Sequence, residues 1–220
     1  MTICVILGAG GFAQETYWHA KQSRTGTFDR FIFVDDLTGI TSVQIDGMSW
    51  PVEKEWHFER YLQAGAQIGF VASVGDPRGK KTLVEKALAA GLTPLPTIVH
   101  SASLIQDSSC RIGRGGIISP ACVLTTGVTL GDYVTLNVGV SIGHGSILED
   151  YVYCAPGVAI AGNVLIKEGA SLGIGSVVRE KTIVAAFVTT GAQSCVVKDI
   201  VDEGITVVGI PAQPLKGDRP

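Results

Sequence analysis

Along the second half of the chain an apolar residue returns every sixth position: Ile112, Ile118, Leu124, Leu130, Leu136, Ile142, Leu148, Cys154, Ile160, Ile166, Leu172, Val178, Val184, Thr190 and Val196. Thirteen of these fifteen are aliphatic. Valine recurs two residues earlier, at Val128, Val134, Val140, Val152, Val158 and Val164, and the residue that follows is often small or suited to a turn, as at Gly113, Gly131, Asn137, Gly143, Gly173 and Gly191. A period of two marks a flat strand and a period of 3.6 a helix; six is neither. Each hexad reads as one short strand and a corner, and three hexads make a triangular coil whose marked residues stack inward on those of the next coil. One coil cannot cover its own core, but stacked coils can. An ordinary β-sandwich does not generate this spacing. Ile98 and Leu104 extend the series upstream, with a slip of two residues before Ile112.

Before Pro96 the pattern is different. "ICVILG" at Ile3 predicts a buried strand, "GFAQETYWHAKQ" a helix, "RFIFVDD" a second strand and "IGFVASVG" a third, and "PRGKKTLVEKALAAG" predicts a helix with proline at its start and glycine at its end. Strands alternating with helices predict a parallel α/β sheet, here a Rossmann-like half-domain, since the segment is too short for a complete two-lobed dinucleotide fold. The expected organisation is therefore two domains, 1–96 and 97–220. The second is a β-helix to about residue 200 followed by a short tail.

Composition narrows the partners. Of 220 residues, 46% are hydrophobic and 17% charged, enough to fill a core and too apolar for disorder. A net charge of −3 gives no cationic field for nucleic acid or an anionic membrane. No apolar run approaches the roughly 20 residues of a membrane span, and the apolar opening "MTICVILGAGGFA" lacks the basic flank of an export signal. Five cysteines without a CxxC pair read as reduced thiols of a cytoplasmic protein and point to neither disulfides nor a zinc site.

Two places carry candidate chemistry. In "GAGGFA", Gly8, Gly10 and Ala13 fit the Gly-x-Gly-x-x-Ala fingerprint between a strand and a helix, where backbone N–H groups and the helix dipole receive a phosphate, and "DD" at Asp35 and Asp36 ends the next strand, where an acid can bond a ribose or a base. NAD is the rival ligand, but the second mononucleotide half is missing. The other place is "VSIGHGSIL". His144 lies two residues after the inward Ile142, hence at a corner, and coils of three hexads stack it against Thr126 and Gly162. Acyl transfer needs a base for the attacking group and a donor for the oxyanion. An imidazole supplies the first and an unobstructed glycine N–H the second. No cysteine accompanies the histidine in a nucleophile pattern, so attack is direct.

The hexads, followed by "GAQSCVVKDI" and "VVGIPAQPLK", resemble the left-handed parallel β-helix of the hexapeptide-repeat acyltransferases. With "ILGAGGFAQE", "FVDD", "VGDPRGKKTL" and "TIVHSAS" in that order, the chain is similar to the sugar acyltransferases that include bacterial nucleotide-sugar N-acetyltransferases and sialic acid O-acetyltransferase-like proteins. The resemblance implies a homotrimer with sites between neighbouring β-helices, acetyl-CoA lying along the helix, and a nucleotide sugar bridging the two domains. It assigns the nucleotide to Gly8, Gly10, Gly11, Asp35 and Asp36, the base to His144, the oxyanion donor to Gly162, and a place near the sugar to Asn137. Tyr153, Gly162, Gly173 and Gly191 become contacts for acetyl-CoA, with Lys198 and Lys216 near its phosphates.

Two positions depart from the family pattern. The acid that commonly flanks the histidine is replaced by Gly143 and Gly145, leaving Glu149, Asp150 or another subunit to orient the ring, and a histidine nine residues on is Tyr153. A zinc site of the kind found in β-helical carbonic anhydrases needs three histidines, and the hexads hold only His144. The expected function is transfer of acetyl from acetyl-CoA to an amino sugar carried on a nucleotide diphosphate, for surface polysaccharide synthesis, without a metal. The alternatives are O-acetylation of a sugar hydroxyl and a catalytically silent nucleotide-sugar-binding protein.

Overall fold

The structure, a computed structural model, describes residues 1–54, 56–58, 61 and 63–215. They form two compact units, one of Met1–Ser101 with Arg114–Gly116, the other of Ala102–Gly113 with Ile117–Pro220.

In the first unit β1 (Thr2–Leu7), α1 (Gly11–Lys21), β2 (Arg30–Val34), β3 (Ser42–Ile45), β4 (Met48–Glu53), β5 (Gln67–Ala72), α2 (Pro77–Ala89) and β6 (Thr93–Pro94) follow in order. The sheet runs β3-β4-β2-β1-β5-β6, parallel except for the β3–β4 hairpin. Ile3 to Leu7 are fully buried, as a central strand flanked on both sides requires. Leu7 is level with Val34 and with Ala72, so Gly8, Asp35 and Ser73 stand side by side at the carboxyl edge of the sheet. Helix α2 starts as its sequence predicts, with Pro77 in the first turn and Asp76 Oδ2 accepting from Gly79 N–H at 2.7 Å. The β3–β4 hairpin turns at Asp46 and Gly47, with φ of 52° and 75°. Asp-Gly is the usual signal of such a turn.

Beneath α1 the rings of Trp18, His19 and His100 pack together, with Trp18–His100 centroids 4.9 Å apart and His19–His100 centroids 5.7 Å apart, edge to face. Both histidines are buried. Burial, with repulsion from His100, pushes His19 down to about 4.

In the second unit two-residue strands repeat on three faces. Face I carries Ile117–Ile118, Thr135–Leu136, Tyr153–Cys154, Ser171–Leu172 and Thr189–Thr190; face II carries Val123–Leu124, Ser141–Ile142, Ala159–Ile160, Val177–Val178 and Cys195–Val196; face III carries Arg111–Ile112, Thr129–Leu130, Ile147–Leu148, Leu165–Ile166 and Ile183–Val184. Pairing within each face is parallel and 18 residues apart, as in Ser141 with Ala159 and Ile142 with Ile160. All the marked positions from Ile118 to Val196 are buried, and the valines two residues earlier with them. Thr190 is inward and polar, and its hydroxyl is satisfied by Ser176 Oγ and the Gly173 N–H. The fold matches a left-handed β-helix. The start of the series needs one correction. Leu104 is 70% exposed, and Ile105 is the residue aligned with the inward Leu124. The corner between Ile105 and Ile112 holds one extra residue, accommodated by a turn in which Ser109 and Cys110 both donate to Gln106 O, so the slip is one residue and not two.

The corners need left-handed backbone, supplied by glycine at Gly127, Gly139, Gly145, Gly157 and Gly175 and by ordinary residues at Ala121, Tyr133, Tyr151, Asn163, Lys181, Phe187 and Gln193. Each of the latter costs about 1 kcal/mol. Two inward aliphatic side chains per hexad, at about 1.5–3 kcal/mol each when buried, outweigh that cost. Some corners recover more: the Tyr133 and Tyr151 rings stack at 4.9 Å and 18°, and Phe187 lies against Gly169, where any Cβ would touch its ring. Face I closes with Thr206–Val208, which carries the antiparallel strand Gln213–Pro214.

The buried His19 makes the stability of the first unit pH-dependent. Unfolded, it takes up a proton near pH 6.5; folded, only near pH 4. Its contribution is complete above pH 6.5 and is lost as the pH falls toward 4, by about 3 kcal/mol in all. Urea unfolding followed from pH 7 to 4 should show this fall, and His19→Gln should flatten it.

Candidate active site

His144 occupies the corner between Ser141–Ile142 on face II and Ile147–Leu148 on face III, and its side chain is exposed. The stacking expected from the repeat is present. Asn163 N–H donates to His144 O at 2.7 Å, Lys181 N–H to Gly162 O at 3.1 Å, and Gly145 N–H to Thr126 O at 2.9 Å, so the corners climb in the order Thr126, His144, Gly162. The imidazole packs against Gly162. A Cβ there would stand 2.5 Å from His144 Cε1 and 2.7 Å from Nε2. Glycine is the one residue that lets the ring take this position.

The glycines on either side of His144 have separate reasons. A Cβ at Gly143 would meet Gly162 N at 2.6 Å, and Gly145 holds φ at 69° with Asn163 Oδ1 against it. Among the described residues no acceptor takes the Gly162 N–H, and no side chain accepts from the His144 ring. Glu149 and Asp150 do not orient it. Glu149 Oε2 accepts from Glu168 N–H at 2.9 Å and Asp150 Oδ1 from Asp132 N–H at 2.8 Å, which commits both carboxylates to the corner at the far end of face III.

The remaining residues expected in the solenoid gather at another corner, between faces I and II. Asn137 is buried, its Oδ1 accepting from Val138 N–H at 2.7 Å and its Nδ2 reaching Tyr153 Oη at 3.4 Å. Gly173 and Gly191 follow on that corner. Each is small because the next coil presses on it: a Cβ at Gly173 would meet Thr190 O at 2.5 Å, and one at Gly191 would meet Val208 Cγ1 at 2.8 Å. Within one chain, strand Ser141–Ile142 lies between this group and His144. Lys198 lines a cavity of about 240 Å³ under the C-terminal segment with Val196, Ile205, Val207 and Pro211. Lys216 lies outside the described residues.

In the first unit Gly8 is fixed by the fold: φ is 108°, its N–H donates to Val34 O, and a Cβ would meet Ser73 O at 3.1 Å. Gly10 and Gly11 are different. A Cβ on either meets nothing within 4 Å, so the protein's own packing does not require glycine there. Helix α1 begins at this point with no side-chain cap and no acid in its first turn, which leaves donors and a positive dipole end for an anion. Ser73 Oγ and Thr16 Oγ1 both donate to Phe12 O, tying the start of the helix to the end of β5.

The two acids are not equivalent. Asp35 is 7% exposed; its Oδ2 accepts from Ala9 N–H and its Oδ1 from Leu37 and Thr38 N–H, and these bonds hold its carboxyl below the usual range against the opposing effect of burial. It anchors the glycine loop through these three bonds. Asp36 is more open, with its Oδ2 accepting from Lys86 Nζ at 2.8 Å and Trp56 Nε1 at 3.4 Å. Trp56 and Lys86 were not expected here from the sequence. Among the described residues no helix is long and apolar enough to cross a membrane, and no three metal-ligating side chains converge.

A hexapeptide β-helix that follows a parallel α/β sheet in the chain is the architecture of a hexapeptide-repeat acyltransferase, and its solved neighbours are acetyl-CoA-dependent sugar acetyltransferases. Comparison with solved structures makes the assignment narrower. The chain is 31% identical to the acetyltransferase domain of PglB from Neisseria gonorrhoeae FA1090, in complex with acetyl coenzyme A, over 97% of its own length and 98% of that chain, with a TM-score of 0.82. It is 26% identical to WeeI from Acinetobacter baumannii AYE, covering 98% and 100% at a TM-score of 0.80, and 24% identical to a mutant perosamine N-acetyltransferase from Caulobacter crescentus in complex with CoA and GDP-perosamine, covering 98% and 97% at 0.84. No protein-family model and no curated protein sequence matches it significantly. The chain belongs to the hexapeptide-repeat sugar acyltransferase family.

The contact between His144 and Gly162 gives a direct test. Gly162→Ala puts a methyl into the imidazole without straining the backbone, so the ring must move; acyl transfer should fall about a hundredfold. The melting temperature should stay within a few degrees and the His144 ring proton resonances should shift.

Proposed function

We propose that this enzyme transfers the acetyl group of acetyl-CoA to the amino group of a nucleotide-diphosphate-linked amino sugar. The observation that carries the reading is the exposed His144 imidazole packed against the buried Gly162, whose N–H has no acceptor among the described residues. The likeness to a domain solved with acetyl coenzyme A supports the donor, and that to a perosamine N-acetyltransferase solved with GDP-perosamine is in keeping with the acceptor. As the sugar nitrogen attacks the thioester carbon, His144 takes a proton from that nitrogen and the Gly162 N–H receives the developing oxyanion. Collapse breaks the C–S bond, and the proton held by His144 leaves with the thiolate as free coenzyme A. An amine suits this site better than a hydroxyl. A hydroxyl demands a stronger base, and no described carboxylate is bonded to the ring to strengthen it.

In this reading the first unit is a Rossmann-like half-domain that holds the nucleotide, with the diphosphate at Gly10, Gly11 and the start of α1, where the missing Cβ atoms leave room for it. Tyr153, Gly173 and Gly191 border acetyl-CoA, and Asn137 meets the sugar. Those residues lie one corner away from His144, so a working site draws them from a neighbouring copy in a homotrimer. An apolar ridge along their corner fits that assembly. It climbs through Pro120, Val138, Pro156 and Ile174, with Val138 42% and Ile174 57% exposed, and Val123 and Val177 are exposed on the face beside it.

A coenzyme A release assay over UDP-, dTDP- and GDP-linked amino sugars should find at least one substrate, and His144→Ala should lower its turnover about a hundredfold or more with the fold intact. Undiminished turnover in that variant removes the base. Gly10→Val should weaken binding of the nucleotide sugar about tenfold, a difference of about 1.4 kcal/mol, while leaving the melting temperature unchanged; equal affinity in calorimetry would mean the diphosphate lies elsewhere.

A further inference from the structure

Valine fills the position two residues before the inward aliphatic in six of the seven hexads from Val128 to Val164, and the seventh holds Ser146, so a hydroxyl stands where this part of the core otherwise takes a branched aliphatic. Ser146 is fully buried. A buried hydroxyl is costly unless its bonds are made, and Ser146 makes both of them on the corner of the next coil: its Oγ accepts from Val164 N–H at 3.1 Å and donates to Ala161 O at 2.9 Å. Ala161 and Val164 are the first and last residues of the turn that carries Gly162. Several other corners close this turn by a direct bond between the same two positions, as in Ser176 N–H to Gly173 O at 3.0 Å and Ala170 N–H to Lys167 O at 3.2 Å. Among the described residues no such bond joins Val164 to Ala161; the Ser146 hydroxyl bridges them instead.

The carbonyl that Ser146 holds belongs to the Ala161–Gly162 peptide, whose other polar group is the Gly162 N–H. In a trans peptide the two point in opposite directions from one rigid plane, so fixing the carbonyl fixes the line of the N–H. A hydrogen bond accepted by the carbonyl also strengthens the N–H as a donor. Gly143 presses on the same peptide: a Cβ there would lie 2.6 Å from Ala161 C and from Gly162 N. The coil of His144 thus grips this one peptide through Gly143 and Ser146, while the imidazole packs against Gly162 itself.

We propose that Ser146 is a positioning residue for acyl transfer, holding the Ala161–Gly162 peptide so that its N–H faces the oxyanion of the tetrahedral intermediate. The inference rests on the acyl-transfer reading above and names what aims its oxyanion donor. Without the hydroxyl, Ala161 O and Val164 N–H bond to each other as at the other corners, which rotates the peptide and turns the N–H away. The contact so governed reaches full strength only as charge develops on the oxygen, so the loss falls on kcat and not on KM.

The test compares two variants of one shape. Ser146→Val and Ser146→Thr differ by the hydroxyl alone, and valine is what the same column holds at Val128 and Val164, in the coils on either side. Turnover is followed by coenzyme A release with a substrate from the panel above, on full-length protein whose melting temperature verifies folding; Ser146→Ala takes the place of the valine variant if that one does not fold. Ser146→Val should lower kcat about tenfold with both KM values within about twofold, a partial loss beside the roughly hundredfold or more that deleting an oxyanion donor costs. Ser146→Thr should recover at least about a third of the wild-type kcat. In protein labelled with 15N-glycine, the Gly162 amide resonance should move in Ser146→Val and stay near its wild-type place in Ser146→Thr. Wild-type kcat or an unmoved Gly162 resonance in Ser146→Val, or equal losses in the valine and threonine variants, overturns the role of Ser146 and leaves the site standing. If no substrate of the panel releases coenzyme A, or His144→Ala turns over as fast as the wild type, the acyl-transfer reading of this corner falls and this inference with it.

Discussion

Backbone hydrogen bonds between coils, offset by 18 residues, are the constraint on which the second unit depends. A two-residue strand has no partners of its own, and its N–H and C=O groups are satisfied by the coils before and after it: Ser141 N–H by Val158 O, Gly143 N–H by Ile160 O, Asn163 N–H by His144 O. Once these bonds are made, residues 18 apart have no freedom to avoid each other. Ile142 must lie on Ile160, and the imidazole of His144 must lie on whatever occupies position 162. The pairing of imidazole and glycine is thus a register effect, fixed by the same bonds that hold the core.

In the first unit a comparable economy governs the carboxyl edge of the sheet. Parallel pairing brings the ends of β1, β2 and β5 level, and the residues just beyond them knit together: Gly8 to Val34, Ala9 to Asp35, Ser73 to Leu7 and to the start of α1. A Cβ on Gly10 or Gly11, just beyond these bonds, would meet no atom within 4 Å. The open space at those two glycines stands at the carboxyl edge, where open parallel sheets receive their ligands.

Most of the solenoid was legible in the sequence because its signal is repeated many times, and an error in one hexad does not propagate. The place of His144 above Gly162 followed from counting alone. Where the repeat is imperfect the count failed: the extra residue between Ile105 and Ile112 turned Leu104 outward. In the first unit the strands and helices with strong apolar patterns were readable, while the β3–β4 hairpin was passed over even though Asp46–Gly47 announced it. The division of labour between Asp35 and Asp36 was not readable. It is set by partners as near as Ala9 and as distant as Lys86, which only the folded path brings together. The packing of Trp18, His19 and His100 was hidden for the same reason.

The reversed strand Gln213–Pro214 at the end of face I has a consequence for behaviour in a crowded solution. A stack of parallel coils is in principle an endless template, since its last rung offers the same row of amides and carbonyls that its predecessors offered. Here the last rung is met by a segment running the other way, and that segment contains a proline, which has no N–H to offer an incoming strand. Elongation into fibres by end-to-end addition of molecules is blocked at this face, so a fold built on indefinite repetition has a defined length.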